Sequence, residues 1–583
     1  MGGLLSLVWP PQFLQPSAHR AIHDSSSDPF SAALQRISST GSVAGTSRQH
    51  QMDDHQQKRR EREGRDSEDD EEDYKPFVES ADEDESSCSD WSLESTSDED
   101  DIVQEGHGDI TSEYRFLVPN IKDYNHLRED LQLRNGTGRD SRVGVMETCR
   151  RAELGMAPKG VRHTQLSAIP ERVKCTMVNR FPPCRRQQLY RAHTKFFCCQ
   201  YMPTQQQMVV GSQSEEFRFF RRHGDGTYDI DRNISVPYTG WSILDVACSP
   251  DGRLLCYSTW SESVFVGQLE AEGGEDCLGG WLHNGRPDDG KGWRNIHVLP
   301  DGRSSRMAMF CLKFSRDGKE LLCGGADHRV HVVDMVEGRR TFALRCHDDD
   351  VNAISWGDEN PNYIYTGSDD GLCKLWDRRI IDDSTDGVPP VGEFAGHRDG
   401  ITYVDTRGDE RYILTNSKDQ TIKVWDIRRF SPREGVSATR IAVSKQQWDY
   451  RWQTFPETAR DPTPMAGDAS LATLKGHAVL HTLVRARWSP ERTGRRYIYT
   501  GCAKGDVIIY DTLEMRPLER LEGHGSVVRD CYWTEDTNEI FTTSWDGTTA
   551  VWQWDDRKEK KEMKTNRRQK LKQKDPKRRR TVR

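Results

Sequence analysis

The chain has little apolar sequence and no motif that pairs cysteines. Hydrophobic residues make up 34% of its 583 residues, and no apolar run approaches the length of a membrane span. Its opening residues contain no apolar segment of the kind found in secretory signals. None of the 15 cysteines falls in a Cys-x-x-Cys pair. These absences predict a chain without membrane contact, in a reducing intracellular compartment where thiols are buried as small hydrophobic groups.

Motifs that hold phosphate groups or metal ions are absent as well. The sequence has no Gly-rich loop that opens a helix, no His-Glu-x-x-His and no cluster of Cys and His at metal-ligand spacing. We therefore expect no metal, no cofactor and no enzymatic activity.

The net charge of −10 is counted over the whole chain and conceals two oppositely charged tails. Residues 1–110 are polar, and the run from Ser67 to Asp101 is strongly acidic, so we expect a disordered tail. A regulated tail is the alternative, because Ser67 and Ser97 adjoin the acidic residues that acid-directed kinases favour. The start of the chain also fits the loose myristoylation pattern, which is too short to decide whether Gly2 is acylated.

The basic tail covers residues 557–583 and holds 15 Lys and Arg against three acids. We expect it to be disordered and to serve nuclear import through Lys577-Arg578-Arg579-Arg580, which places the protein in nucleus and cytoplasm. Weak contact with nucleic-acid phosphates is the alternative. No aromatic residue follows Trp554, so base stacking is not expected.

Residues 111–195 read as a partly helical transition segment. Apolar residues from Ile121 to Leu131 recur at helical spacing, and a second short helix is predicted from Gln187 to His193. Neither is long enough to fold alone.

Seven copies of one repeat occupy residues 196–556. Four strong copies follow His347, His397, His477 and His524, and weaker copies cover 196–220, 240–269 and 309–335. Each consists of short β-branched and aromatic runs separated by turn residues, which predicts antiparallel strands. The spacing and the Gly-His and Trp-Asp dipeptides resemble the WD-repeat family. That resemblance implies an all-β, seven-bladed β-propeller.

Three of the strong copies carry His, Thr, Asp and Trp at matched positions. These tetrads are His347, Thr366, Asp370 and Trp376; His397, Thr415, Asp419 and Trp425; and His524, Thr542, Asp546 and Trp552. A buried indole N–H and imidazole need hydrogen-bond partners, which Thr and Asp supply, so we expect a structural network within each blade. A nucleophilic triad is the alternative, but an active site is normally built once, not three times. The copy from His477 has Lys504 for the Asp and Tyr510 for the Trp.

Arginines follow the Trp-Asp pair in two consecutive repeats, as Trp376-Asp377-Arg378-Arg379 and Trp425-Asp426-Ile427-Arg428-Arg429. These stretches resemble the paired boxes of substrate receptors for cullin-four ubiquitin ligases. The segments 240–246, 347–353, 416–431, 447–452 and 476–483 add to the resemblance to DDB/cullin-four-associated factors. It implies that a damaged-DNA-binding adaptor is bound by Trp376, Asp377, Arg379, Trp425, Asp426 and Arg428. The alternative is that both arginines pair with nearby acids and only solvate the rim.

An insert, residues 430–474, interrupts the repeat spacing and contains Trp448, Tyr450 and Trp452. It is either a flap packed on the propeller or a platform for a partner, since Trp and Tyr are favoured interface anchors. The loop from Ala271 to Arg306, with Trp281 and Trp293, allows the same two interpretations.

Together these features predict a non-catalytic substrate-recognition subunit of a cullin-four ubiquitin ligase, with the adaptor and unidentified substrate proteins as partners. A WD-repeat scaffold for a chromatin or RNA-processing complex is the alternative. The two hypotheses differ in whether the rim arginines are needed.

Overall fold

The computed structural model describes residues 116–117, 121–135, 175, 178–179, 182–237, 239–269, 293–299, 307–381, 387–456 and 465–554. Gly2, both charged tails and Trp281 lie outside these residues, so the predictions about them stay predictions. Within the described ranges, no helix has both the length and the apolar character needed to cross a membrane.

Seven antiparallel sheets form the blades of a β-propeller, which confirms the predicted fold. Blade 1 contains β3 (Phe196–Met202), β4 (Gln207–Ser212), β5 (Glu216–Arg222) and β6 (Tyr228–Ser235). Blade 2 contains β7 (Asp245–Cys248), β8 (Leu254–Ser258), β9 (Ser263–Gln268) and β10 (Trp293–His297). Blade 3 contains β11 (Met309–Phe314), β12 (Glu320–Gly325), β13 (Arg329–Asp334) and β14 (Arg339–Arg345). Blade 4 contains β15 (Val351–Trp356), β16 (Tyr363–Ser368), β17 (Cys373–Asp377) and β18 (Gly392–Phe394).

Of the remaining blades, blades 5 and 7 each recruit a strand from outside their own repeat. Blade 5 contains β19 (Ile401–Thr406), β20 (Tyr412–Ser417), β21 (Thr421–Asp426) and β22 (Ala472–Lys475), with β1 (Phe116–Leu117) as a fifth strand at its edge. Blade 6 contains β23 (Ala486–Trp488), β24 (Tyr497–Gly501), β25 (Val507–Asp511) and β26 (Arg516–Leu521). Blade 7 contains β27 (Val528–Trp533), β28 (Ile540–Ser544), β29 (Thr548–Gln553) and β2 (Arg185–Arg191). Among the described residues lie helices α1 (Ile121–Asn135) and α2 (Arg433–Ser444).

The loops fall on two faces, because successive antiparallel strands run in opposite directions. Loops from first to second and from third to fourth strands share the face on which α1 packs, which we name the helix face. Loops from second to third strands, and those between blades, share the opposite face. We name it the insert face, because part of the insert covers it.

Blade 7 is closed by β2, which pairs antiparallel with β29 from Arg185 opposite Gln553 to Arg191 opposite Thr548. The short helix predicted from Gln187 to His193 is therefore wrong, and the propeller begins before residue 196. Helices this short are unstable alone, whereas β29 offers an edge of unpaired backbone groups that must be covered. The helix predicted from Ile121 is confirmed as α1.

Trp293 also departs from its prediction as a loop residue. It lies in β10 and is 1% exposed, with its ring against Phe217 and Tyr257 in the core between blades 1 and 2. The large indole fills the space between the two sheets, so it is not available as a partner anchor.

All three predicted tetrads come together as hydrogen-bonded networks. In blade 4, His347 Nε2 lies 2.7 Å from Thr366 Oγ1 and Nδ1 lies 2.8 Å from Asp370 Oδ2, while Trp376 Nε1 donates to Thr366 Oγ1 at 2.9 Å. The same contacts recur in blade 5, at 2.6, 2.9 and 2.8 Å. In blade 7 the His524 and Trp552 contacts to Thr542 are kept, and His524 Nδ1 lies 2.9 Å from Thr548 Oγ1 and 3.3 Å from Asp546 Oδ2. The His, Thr and Trp of each set are buried and join second and third strands to the preceding loop, so the set ties a blade together.

Blade 6 replaces its missing tetrad with a contact to its neighbour. His477 Nε2 lies 2.9 Å from Asn416 Oδ1 of blade 5, and its Nδ1 lies 3.3 Å from the Tyr510 hydroxyl. Thr500 bonds the carbonyl of Arg485 instead of the imidazole. Burial lowers the pKa of His477 to about 4, so this ring is neutral at pH 7.

Removal of the closing strand should destabilise the whole ring. Residues 548–552 are buried under β2, so a chain that starts at residue 193 leaves this edge and its apolar side chains exposed. We expect a lower melting temperature and loss of a single cooperative transition, measured by circular dichroism. The matched control starts at residue 182, which removes α1 equally but keeps β2. Equal melting of the two chains would contradict the closing role.

His477 should make the folded protein less stable as the pH is lowered. Its folded pKa of about 4 lies below the ordinary 6.5, so the unfolded chain binds the proton first as pH falls below 6.5. Between pH 7 and pH 5 this costs about 2 kcal/mol of unfolding free energy. His477→Gln keeps an amide that can donate to Asn416 and cannot titrate. We expect urea unfolding of the variant to show about 2 kcal/mol less pH dependence than the wild type, and equal dependence would disprove this assignment.

Candidate functional site

Arg379 and Arg428 occupy equivalent places in adjacent blades. Each follows the third strand of its blade on the helix face and lies two residues after the aspartate that ends that strand. Asp377 Oδ1 accepts the Arg379 backbone N–H at 3.0 Å, and Asp426 Oδ1 accepts that of Arg428 at 3.1 Å. The guanidinium then folds back, with Nη2 2.6 Å from the second carboxylate oxygen in both cases. Both turns thus present an arginine in the same orientation.

The two ion pairs orient the arginine side chains and leave them exposed to solvent. The side chains of Arg379 and Arg428 are each 60% exposed. The hydrogen bond from Arg379 lowers the pKa of Asp377. Burial opposes ionisation of Asp426, but the hydrogen bonds from Arg428 outweigh it and its pKa is also lowered. Each carboxylate is therefore ionised at neutral pH and holds its guanidinium at the surface.

The Trp and Asp residues of the two predicted boxes are much less accessible to a partner than the arginines are. Trp376 and Trp425 are 2% and 0% exposed, and their indoles are held by the tetrads. The Asp377 and Asp426 side chains are 12% and 6% exposed. Within the predicted set of six, the arginines alone are accessible, and the Trp-Asp pairs position them.

Helix α1 lies on the same face, between blades 5 and 6. It buries Tyr124, Leu127 and Leu131, which share one side of the helix, in the core formed by these blades. The Tyr124 hydroxyl donates to the carbonyl of Thr512 in blade 6. On the opposite side, His126 and Glu129 are exposed.

A chain of contacts connects α1 to Arg428. Asp130 accepts a hydrogen bond from the fully buried Arg407 at 2.5 Å, and Arg134 lies 3.5 Å from Asp409. These two partners belong to the turn after the first strand of blade 5. Arg411, at the end of that turn, lies 3.5 Å from Asp426, the carboxylate that orients Arg428. The position of α1 is thus fixed relative to blade 5 and its rim arginine.

The insert crosses from one face to the other. It leaves the helix face after Arg429, where the Phe430 ring packs 5.5 Å from Phe394 of blade 4. Helix α2 follows, and its Arg440 lies 3.2 Å from Asp348 on the insert face. Gln446 then donates to the carbonyl of Arg398 at 2.9 Å. Strand β22 begins at Ala472, before the predicted end of the insert at residue 474.

The three insert aromatics do not form one exposed platform. Tyr450 enters the mouth of the central channel, with Lys418 Nζ 4.2 Å from its ring centre and its carbonyl accepting the His481 N–H at 2.8 Å. Trp448 packs edge-on against Phe455 at 5.0 Å. Trp452 is 38% exposed. Trp452 is the most exposed of the three, so their packing favours the flap interpretation, and the partner platform stays a prediction.

A cavity of about 240 Å³ opens at this mouth, on the insert face. All seven blades contribute to it, and sequence reasoning did not find it. One wall contains the apolar groups Phe197, Trp241, Leu244, Trp260, Phe310 and Leu483, and the other contains the acids Asp350, Asp369 and Asp399. Two of these acids could have been noticed, because Asp350 and Asp399 each follow a tetrad histidine within three residues.

Below the mouth, buried charges join blades across the channel axis. Arg485 of blade 6 lies 2.7 Å from Asp245 of blade 2 and 3.1 Å from Asp530 of blade 7. The same aspartates accept backbone N–H groups of the next blade, Asp245 from Leu312 at 2.9 Å and Asp530 from Cys199 at 3.1 Å. These contacts satisfy the buried charges and form a polar floor under the cavity.

One group of potential metal ligands is present in the described part of the chain. His328, Asp349 and Asp350 place a ring nitrogen and two carboxylate oxygens within 4.8 Å of one another. Such groups of acidic side chains are common at protein surfaces without a metal, so this cluster does not contradict the expectation that none is bound.

Comparison with known proteins agrees with this architecture. The model of the family described as WD domain, G-beta repeat matches residues 294–334, 338–377, 388–426 and 515–553. The chain is 45% identical over 394 residues to the DDB1- and CUL4-associated factor 11 homolog of Caenorhabditis elegans, covering 67% of this chain and 66% of that protein. It is 42% identical over 443 residues to the homolog of the same name in Caenorhabditis briggsae, covering 75% and 72%.

A plant relative extends the comparison. The LEC14B protein of Lithospermum erythrorhizon is 35% identical over 350 residues, covering 59% of this chain and 70% of that protein. None of these three relatives is named as an enzyme. The resemblance seen in the motifs is confirmed, and the chain belongs to the WD-repeat family of DDB1- and CUL4-associated factor 11 and its homologs.

Proposed function

We propose that this chain is the substrate-recognition subunit of a cullin-four ubiquitin ligase and docks on the DDB1 adaptor through its helix face. The observation that carries the proposal is the matched pair Arg379 and Arg428, in adjacent blades, on one face and equally exposed. The relatives' names associate those proteins with DDB1 and CUL4, which supports the same assignment.

Arginine suits such a docking role for physical reasons. Its planar guanidinium donates two parallel hydrogen bonds to a carboxylate or to carbonyl groups, and arginines often dominate binding energy at interfaces. The pairs with Asp377 and Asp426 are largely exposed and contribute little to folding stability. They restrict the side-chain rotamers before binding, so less conformational entropy is lost when a partner docks.

Helix α1 extends the docking surface beyond the two arginines. Its buried side is fixed by blades 5 and 6, and Asp130 links it to the turn that carries Arg411 and so to Asp426. Its outer side, with His126 and Glu129, is left for a partner on the same face.

The substrate protein would bind elsewhere, on the insert face. The chain would perform no chemistry itself. Its contribution is to hold a target near the ubiquitin-carrying enzyme and so raise the effective concentration of the target's lysines.

Charge reversal at both arginines should abolish docking. We expect the full-length Arg379→Glu, Arg428→Glu variant to lose roughly 2–5 kcal/mol of binding free energy to purified DDB1, which is about 30-fold or more in Kd. Surface plasmon resonance against wild type would measure it. The melting temperature should change little, because both side chains are exposed and make only local ion pairs.

The matched control is Arg221→Glu, Arg339→Glu. These arginines are 53% and 70% exposed, each pairs with a nearby acid, and they belong to blades 1 and 3. The control should bind DDB1 like the wild type. Absence of binding by wild type, or an equal loss in both double variants, would disprove docking through the rim pair.

A further inference from the structure

The cavity at the channel mouth has two chemically different walls. Trp260 packs edge-on against Phe310 at 6.0 Å, and Leu244 and Leu483 complete this apolar side. Across the cavity lie Asp350, Asp369 and Asp399, from the loops of blades 4 and 5. An apolar wall facing carboxylates fits a ligand that combines a hydrocarbon stem with a positive end.

Polar groups without partners also line this cavity. Ser242 is 0% exposed, yet its Oγ has no hydrogen-bond partner, and neither has the indole Nε1 of the adjacent Trp241. Buried hydroxyl and indole N–H groups are normally satisfied, so orphaned groups at a cavity wall mark a place where a ligand supplies the missing partner. A peptide backbone carbonyl would accept from either group.

The acidic wall carries more negative charge than its own cations neutralise. Lys418 lies 2.7 Å from Asp369, and Arg451 pairs with Asp449. Arg529 donates to the carbonyl of Phe197 and to Thr482. In the described part of the chain, no Lys or Arg forms an ion pair with Asp350 or Asp399.

The pKa values of two of these acids reflect the same excess of negative charge. Burial, with the charges of Asp369 and Asp349, raises the pKa of Asp350 to about 7, although His328 lies beside it. Burial also raises the pKa of Asp399 to about 6, against the favourable charge of Lys418. A cation between these two carboxylates would relieve the cost of ionising them.

We propose that the channel mouth is a pocket for one arginine or lysine side chain of an extended peptide, whose neighbouring apolar side chain packs against Trp241 and Trp260. A volume of about 240 Å³ holds one long side chain and lies below the roughly 300–1,000 Å³ of small-molecule sites. The pocket lies on the face opposite the rim arginines, so a peptide there leaves the docking surface free. The inference rests on the proposed function in one respect, that the peptide belongs to a ligase substrate.

The test uses the purified full chain and a phage-displayed library of random octapeptides, selected in EDTA so that no metal bridges peptide and protein. We expect the selected peptides to share one arginine or lysine beside an apolar residue. Fluorescence polarisation then compares a selected peptide with its citrulline counterpart, which keeps the shape and loses the charge. We expect binding of the citrulline peptide to be at least tenfold weaker.

Two double variants locate the binding site. Asp350→Asn, Asp399→Asn removes the acidic wall and should weaken binding of the basic peptide at least tenfold. The matched control Glu215→Gln, Glu522→Gln removes two exposed acids of the same face outside the cavity and should bind normally. Both variants should keep the wild-type melting temperature and DDB1 affinity.

Selection of peptides without a shared basic residue, or of none, would overturn the pocket, as would equal effects of the two double variants. DDB1 binding separates this outcome from failure of the proposed function. If the protein selects basic peptides but does not bind DDB1, the pocket is supported and the ligase role is disproved. A chain that binds DDB1 without selecting basic peptides keeps the ligase role and loses the pocket.

Discussion

Pairing of β2 with β29 is the contact on which the rest of the structure depends. The ring of seven sheets is held closed because the last blade is completed by a strand that precedes the first blade in the chain. Because Arg185 pairs with Gln553, β2 starts on the helix face, and the chain before it must approach from that side. Cys175 and Asn179 accordingly contact Glu491 and Thr493 in a blade 6 loop of the same face. Closure of the ring therefore brings α1 to the face that carries the rim arginines.

Between the two faces, buried charges join the blades across the channel. Arg485 spans from blade 6 to Asp245 of blade 2, and Asp245 in turn accepts the backbone N–H of Leu312 in blade 3. Loss of one member would leave its partner charged and uncompensated in the interior, which is strongly unfavourable. The insert is the element that connects the faces, because it begins beside Arg428, reaches the mouth with Tyr450 and returns to β22 at Ala472. One face thus carries the two exposed rim arginines and the other an acidic and aromatic cavity.

The features that could be predicted from the sequence are those that a local pattern determines. Repeat spacing gave the seven blades, matched positions gave the three tetrads, and helical spacing gave α1, since each depends on residues close together in the chain. Sequence reasoning failed at β2, whose residues Arg185–Arg191 become a strand only because β29 leaves an edge to cover. It also failed at the cavity, whose walls combine side chains from Phe197 to Trp545. A periodic pattern in the sequence cannot reveal a combination of residues so far apart in the chain. That the Ser242 hydroxyl lacks a hydrogen-bond partner can be seen only in the folded structure.

The rim arginines illustrate how a binding surface arises from a structural motif. Four blades end their third strand with an aspartate whose Oδ1 accepts the N–H two residues later: Asp334 from Val336 at 2.7 Å, Asp511 from Leu513 at 2.9 Å, Asp377 from Arg379 at 3.0 Å and Asp426 from Arg428 at 3.1 Å. All four turns share this hydrogen bond, and the side chain two residues after the aspartate differs among them. In blades 4 and 5 that side chain is arginine, which returns to the aspartate that already closes the turn. The aspartate closes the turn in all four blades, whereas the arginine adds an exposed cation that the same aspartate orients. Because blades 4 and 5 are adjacent and both carry arginine at this position, they present two exposed guanidinium groups on one face.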